Sequence, residues 1–236
     1  MGLPKLDTPT YELVVPSTQQ KIKYRPFLVK EQKLLLMAQE SNQEENYVQT
    51  MTEIINACTF GSVDAKLTPI FDIEYIFLQL RSKSVGEKVE LNLLCPDDEK
   101  TYVNKIVDLS KLEVQMVENH TNVIQLTDKI KMIMKYPLLQ DMSGIRADGM
   151  SQTMQSFAVM KYCVSEIHDG DTIFHRIDIS DKDLEDFLES MDTKQLETLM
   201  QFFETMPKVR HTVEVTNPKT KVKSEIVLEG MESFLK

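Results

Sequence analysis

Apolar residues recur along this chain with two periods, and the switches between them divide it into segments. Tyr11 to Val15 and Lys21 to Tyr24 alternate in the manner of short strands, and Pro16-Ser17 marks a turn between them, so a β-hairpin opens the chain. Three helices are expected next. The first covers about Val29 to Ala38. The second places Tyr47, Met51, Ile54, Ile55 and Cys58 on one helical face. The third starts at Thr68-Pro69, an N-cap followed by proline at the first helical position, and runs to about Ser82. Ile70, Phe71, Ile73, Tyr75, Ile76, Phe77, Leu78 and Leu80 leave that helix little polar surface, so burial on most sides is expected.

The period then shortens to two. Lys88 to Leu94 and Thr101 to Val107 flank Cys95-Pro96-Asp97-Asp98, which predicts a hairpin with a proline turn. Further strands are expected at Leu112 to Val117, Val123 to Leu126 and Ile130 to Tyr136, where Pro137 stops the ladder. Asp141 to Gly149 has no apolar period and reads as a loop or linker. Gln152 to Val164 returns to a helical pattern with Met154, Phe157 and Ala158 on one side. Asp169-Gly170 is a turn signal before an extended run, Thr172 to Ile177. Ser180 and Asp183 make a capping-box-like start for Leu184, Phe187, Leu188 and Met191 at helical spacing. Leu196, Leu199, Met200 and Phe203 repeat the pattern up to Pro207, giving an αα-hairpin. A last β-hairpin, His211 to Thr216 and Ser224 to Glu229, surrounds Asn217-Pro218-Lys219-Thr220. The expected class is α+β. Residues 1–140 form an N-terminal α+β region and 150–236 a helical region with a terminal hairpin, or the two make one compact domain.

Composition narrows the function. Hydrophobic residues at 42% and charged residues at 27% suit a globular core in 236 residues and argue against disorder. The net charge of −10 runs against nucleic-acid binding, which needs Lys and Arg to replace counterions on phosphate. Lys219, Lys221 and Lys223 are the best local basic patch, and a hairpin tip in solvent accounts for them. Fourteen Met residues suit either a plastic core or an adaptable binding face. Cys58, Cys95 and Cys163 are odd in number and far apart, as in a reducing cytoplasm. No stretch reads as a signal peptide, and none approaches the roughly 20 apolar residues of a membrane span.

Candidate chemistry is sparse. The seven glycines form no phosphate-binding loop, and no nucleophile elbow or helical His pair occurs. Glu166, His168, Asp169, Asp171 and His175 put five acid and imidazole groups into ten residues, the basis for an alternative reading as a metal-dependent hydrolase. They straddle the Asp-Gly turn, and strand alternation keeps all five from converging. Cys95-Pro in a hairpin turn is half of a zinc-knuckle pattern, but Asp98 stands where a second thiolate would lie. The other proline turn has Asn217 and Thr220 at the corresponding places. If the two turns pack together, Asn, Thr and Asp side chains would hold them by hydrogen bonds, as a knuckle without metal. No cofactor is expected. In the tail, Met231, Phe234 and Leu235 serve either as a partner-binding face or as a plug docked on the chain's own core.

Several stretches resemble the baseplate hub proteins of T-even-type contractile-tailed phages, the myoviruses, and look closest to cyanophage-like members. They are Pro16-Ser17-Thr18 with Ile22-Lys23-Tyr24-Arg25-Pro26-Phe27-Leu28-Val29-Lys30-Glu31, and Ile70-Phe71-Asp72-Ile73-Glu74-Tyr75-Ile76-Phe77 leading to Arg81-Ser82-Lys83-Ser84-Val85-Gly86. Asp128-Lys129-Ile130-Lys131 through Tyr136-Pro137, Glu166-Ile167-His168, and Val213 to Gly230 continue it. The resemblance implies a baseplate hub subunit or hub assembly factor, chaperone-like and not an enzyme. Its implied partners are other hub or hub-assembly proteins, with no nucleic acid and no membrane. Its implied place is the cytoplasm of the infected host or the virion tail. Some relatives carry fuller Cys-Pro-X-Cys turns, which this chain lacks.

Overall fold

A computed structural model describes residues 6–41, 44–142 and 151–234. It is α+β, with six helices and eleven strands in small antiparallel sheets among the described residues. The chain divides into two compact units, 1–115 with 208–236, and 116–207. The expected division between 140 and 150 therefore falls within the second unit, and the terminal hairpin joins the first.

The first unit is built around helix α3 (Ile70–Ser84). Ile73, Ile76, Phe77 and Leu80 follow helical spacing on one face, and Phe71 and Leu78 bury the flanks, so the helix is enclosed as its sequence predicts. Its start differs from expectation. Pro69 holds the N-cap position without a side-chain bond, while the Thr68 hydroxyl turns back to donate to the Asp64 carbonyl at 2.7 Å. Asp72, buried inside α3, accepts from the Ser17 backbone N–H at 3.1 Å and from the Ser17 hydroxyl. This anchors the turn of the hairpin β1 (Tyr11–Val14) and β2 (Lys21–Tyr24).

After β2 come α1 (Val29–Ser41) and α2 (Glu44–Cys58). Met51, Ile54, Ile55 and Cys58 bury one face of α2 as expected, and the Tyr47 side chain lies outside the described residues. Strands β3 (Lys88–Leu94) and β4 (Tyr102–Asp108) pair from Lys88–Asp108 to Leu94–Tyr102. The strand expected at Leu112 to Val117 shrinks to β5 (Val114–Gln115). Asp108 caps a 3-10 turn, accepting from the Ser110 N–H, and Leu109 and Leu112 are consumed as buried anchors.

In the second unit β6 (Val123–Gln125), β7 (Ile130–Met134), β8 (Val164–Asp169) and β9 (Thr172–His175) form one antiparallel sheet in that order. Helix α4 (Gln152–Cys163) runs directly into β8. The run expected to Ile177 ends at His175, because Arg176–Asp178 turn into a 3-10 helix. The αα-hairpin is α5 (Asp181–Glu189) and α6 (Thr193–Thr205). Ser180 caps the first through the Asp183 N–H, and Asp192 and Gln195 form a reciprocal capping box on the second. Met132, Met134 and Met160 are buried with Leu184, Leu199 and Phe202, so part of the Met excess fills core. In the first unit β10 (Lys208–Thr216) pairs with both β11 (Lys223–Glu229) and β5.

Candidate functional site

The two proline turns meet, and they share one backbone design. Cys95 donates its N–H to the Thr101 carbonyl at 2.7 Å, and Asn217 donates to Val222 at 2.9 Å. Each turn closes with an N–H returned to its first residue, Glu99 to Cys95 at 3.0 Å and Lys221 to Asn217 at 2.9 Å. The closing residues adopt matching left-handed conformations, Glu99 at φ 51° and Lys221 at φ 65°.

Between the turns, Asp97 is the acceptor. Asn217 Nδ2 lies 3.0 and 3.1 Å from its two carboxylate oxygens, and the Thr220 hydroxyl donates at 2.5 Å. Thr220 and Asn217 together hold the Asp97 carboxyl below its ordinary range. Asn217 is fully buried, and its Oδ1 accepts from the Lys219 and Thr220 N–H groups at 2.8 and 3.3 Å. Asp98 is turned to its own hairpin, accepting the Thr101 hydroxyl and the N–H groups of Thr101 and Lys100, which push its carboxyl far below the usual range. The sequence named Asn, Thr and Asp as the side chains that would hold the turns if they packed together, but did not indicate that they do. That Asp97 receives the principal cross-turn bonds was not legible, because the knuckle pattern draws attention to the first and fourth turn positions.

The donor set does not fit zinc. Of the four knuckle positions only Cys95 offers a thiol, burial raises that thiol, and the Asn217 amide spends its oxygen on backbone N–H groups. Among the described residues, no three His, Cys, Asp or Glu side chains are placed to hold a metal ion.

The 166–175 cluster comes together only in part. Glu166 faces His175 across β8 and β9 and shares a strand face with His168. His168 Nε2 lies 2.7 Å from one Glu166 oxygen and His175 Nδ1 3.3 Å from the other. The His168 imidazole holds the Glu166 carboxyl below its ordinary value. Because the two rings engage opposite oxygens, they bracket the carboxylate instead of sharing a point beyond it. Asp169 and Asp171 stay exposed at the turn, so the hydrolase reading gains no support.

Met231 and Phe234, candidates for a partner face, are 5% and 0% exposed within a 3-10 turn, and Leu235 lies outside the described residues. Packing onto β11 and α3 takes both described side chains out of solvent. Lys219, Lys221 and Lys223 are exposed at the hairpin tip, where the Lys221 ammonium donates to the Pro218 carbonyl at 2.8 Å. Open apolar surface lies elsewhere. A cleft of about 480 Å³ in the second unit is lined by Met154, Phe157, Leu188, Met191 and Leu196, with Lys161 and Glu185 3.6 Å apart at its wall.

Sequence patterning missed His120. Its ring stacks on Tyr136 at 5.6 Å, its Nδ1 contacts the Thr205 hydroxyl at 2.9 Å, and burial lowers its pKa. No periodic signal surrounds it. No described helix is long and apolar enough to cross a membrane.

A family model described as T4 bacteriophage base plate protein matches residues 8–236. No curated protein and no solved structure matches the chain.

Proposed function

The chain belongs to the T4 bacteriophage base plate protein family, and from that premise we propose that it acts in building the central hub of the baseplate by binding other hub proteins. The observation that carries this reading is the near full-length match, which spans both compact units. A match confined to one unit would have left the other free for a separate activity. The role is non-enzymatic on this reading, either as a hub subunit or as a chaperone-like assembly factor in the infected host's cytoplasm.

The surface supports a protein partner. Leu36 and Met37 are neighbours on α1 and more than half exposed, and Met154 on α4 lines the apolar cleft of the second unit, surfaces that a protein partner could cover. Acidic balance disfavours nucleic acid as that partner. The test is to co-express the full chain with each hub-region protein of its phage. A stable co-eluting complex with one of them is expected. Absence of any complex across the set would overturn the reading.

A further inference from the structure

The acidity of this protein is concentrated. Residues 166–189 hold nine acidic side chains against Arg176 and Lys182, seven of the chain's ten excess negative charges. Arg176 is already engaged by Asp181. This segment contains the edge strand of the second unit's sheet. Among the described residues no strand pairs with the outer side of β9.

That edge is apolar where its surroundings are charged. Ile173, Phe174 and Ile177 are 49%, 48% and 91% exposed, three large side chains within five residues. The two-residue turn Gly170-Asp171 makes Asp169–Thr172 a hydrogen-bonded pair, and alternation then makes Ile167–Phe174 the next one. Ile173 consequently directs its backbone N–H and C=O outward and His175 its N–H, while the His175 carbonyl accepts the first bond of the 3-10 turn that follows. Phe174 sits on the opposite side-chain face from Ile173. There it walls a cleft of about 230 Å³ with Ile130, Leu184 and Phe187, and Asp169 and Asp183 stand at the same wall.

An unpaired edge with free peptide groups, an apolar pocket beside it and carboxylates around it match one kind of ligand. We propose that β9 takes an extended segment of another protein as a fifth strand, with an apolar side chain entering the Phe174 cleft and flanking Lys or Arg residues facing Asp169, Asp171, Asp178 and Asp183. Pairing of β9 with the same edge of a second copy is disfavoured, because that edge carries the same negative charge. Native sheets protect exposed edges with charge or bulges, and here the charge sits on the rim while the edge itself stays apolar. The proposal rests on the protein-binding reading above and names the partner's chemistry.

Photo-crosslinking in infected cells tests it. A photoreactive residue replaces Ile173 in the full chain, and a control replaces Val123 on the opposite edge strand, β6. The expected product is a crosslink at 173, absent at 123, to a segment of another protein that alternates apolar residues with Lys or Arg. A crosslink to an acidic segment or to a second copy overturns the inference. So does no crosslink at 173 while a hub-protein complex still co-elutes, an outcome that leaves the functional reading standing. With the co-eluting partner in hand, Asp171→Lys with Asp178→Lys should weaken binding about tenfold at low salt, with the difference shrinking as salt rises. Equal affinity at low salt would also overturn it.

Discussion

Loss of Glu31 should destabilise the first unit by several times the effect of an ordinary surface substitution. Its carboxylate sits in the first turn of α1 with its side chain 3% exposed, 2.8 Å from Arg25, whose side chain is 11% exposed. It also accepts the Leu28 N–H at 2.8 Å. Glu31→Ala leaves a nearly buried guanidinium without its partner and an orphaned N–H at the helix start. Breaking a buried pair costs about 3–5 kcal/mol, and this pair lies just under the surface, which places the loss near ~3 kcal/mol. Replacing both partners with apolar residues should cost less than Glu31→Ala alone, since no stranded charge remains. Burial raises the Glu31 carboxyl, and the Arg25 guanidinium with the Leu28 N–H more than reverses this, leaving it below its ordinary value. A depressed carboxyl stabilises above its unfolded pKa of 4.5, and that contribution is lost as pH falls through the folded value. Urea denaturation followed by circular dichroism at neutral pH and in mild acid should therefore show the gap between wild type and Glu31→Ala closing in acid. A loss below about 1 kcal/mol at neutral pH, or strict additivity with Arg25→Met, would refute the reasoning.

Ile73 is 2% exposed in α3, so Ile73→Asp, at several kcal/mol for an unpaired buried charge, should abolish soluble expression. A variant melting within a few degrees of the parent would show that the helix is not enclosed. Thr220→Val should raise the Asp97 carboxyl toward its ordinary value in an NMR titration, because the hydroxyl is the first cause holding it down. An unmoved titration would mean the cross-turn bond is not made in solution. Burial pushes the Cys58 and Cys163 thiols up to about 11 and about 12, so neither should react with a thiol reagent in the native protein at pH 8. Rapid native labelling of Cys163 would contradict its burial.

Periodicity made the elements legible wherever apolar spacing was unbroken, as in α3, α5 and α6. It failed where a side chain bonded the local backbone instead, as when Asp108 capped a turn that drew in Leu112 and delayed the next strand to Val114. The placement of the terminal hairpin was out of reach. It depends on β5 pairing with β10 across nearly a hundred residues, and on Asp97 meeting Asn217, neither of which leaves a local signal. The shared proline-turn pattern showed that the two hairpins are alike, not that they meet. The tail residues Met231 and Phe234 show why an apolar terminus alone does not mark a partner face, since the same chemistry also closes a core. The β9 edge was visible only as a polar cluster until sheet order put Ile173 and Phe174 at its border.

The central claim is that this protein is needed to build the baseplate hub. Electron microscopy of tails from host cells infected with a phage lacking this gene tests it most directly, with complementation by the intact chain as the control. Tails without assembled hubs, restored by complementation, are the expected result. Normal, infectious tails in the gene's absence would contradict the account.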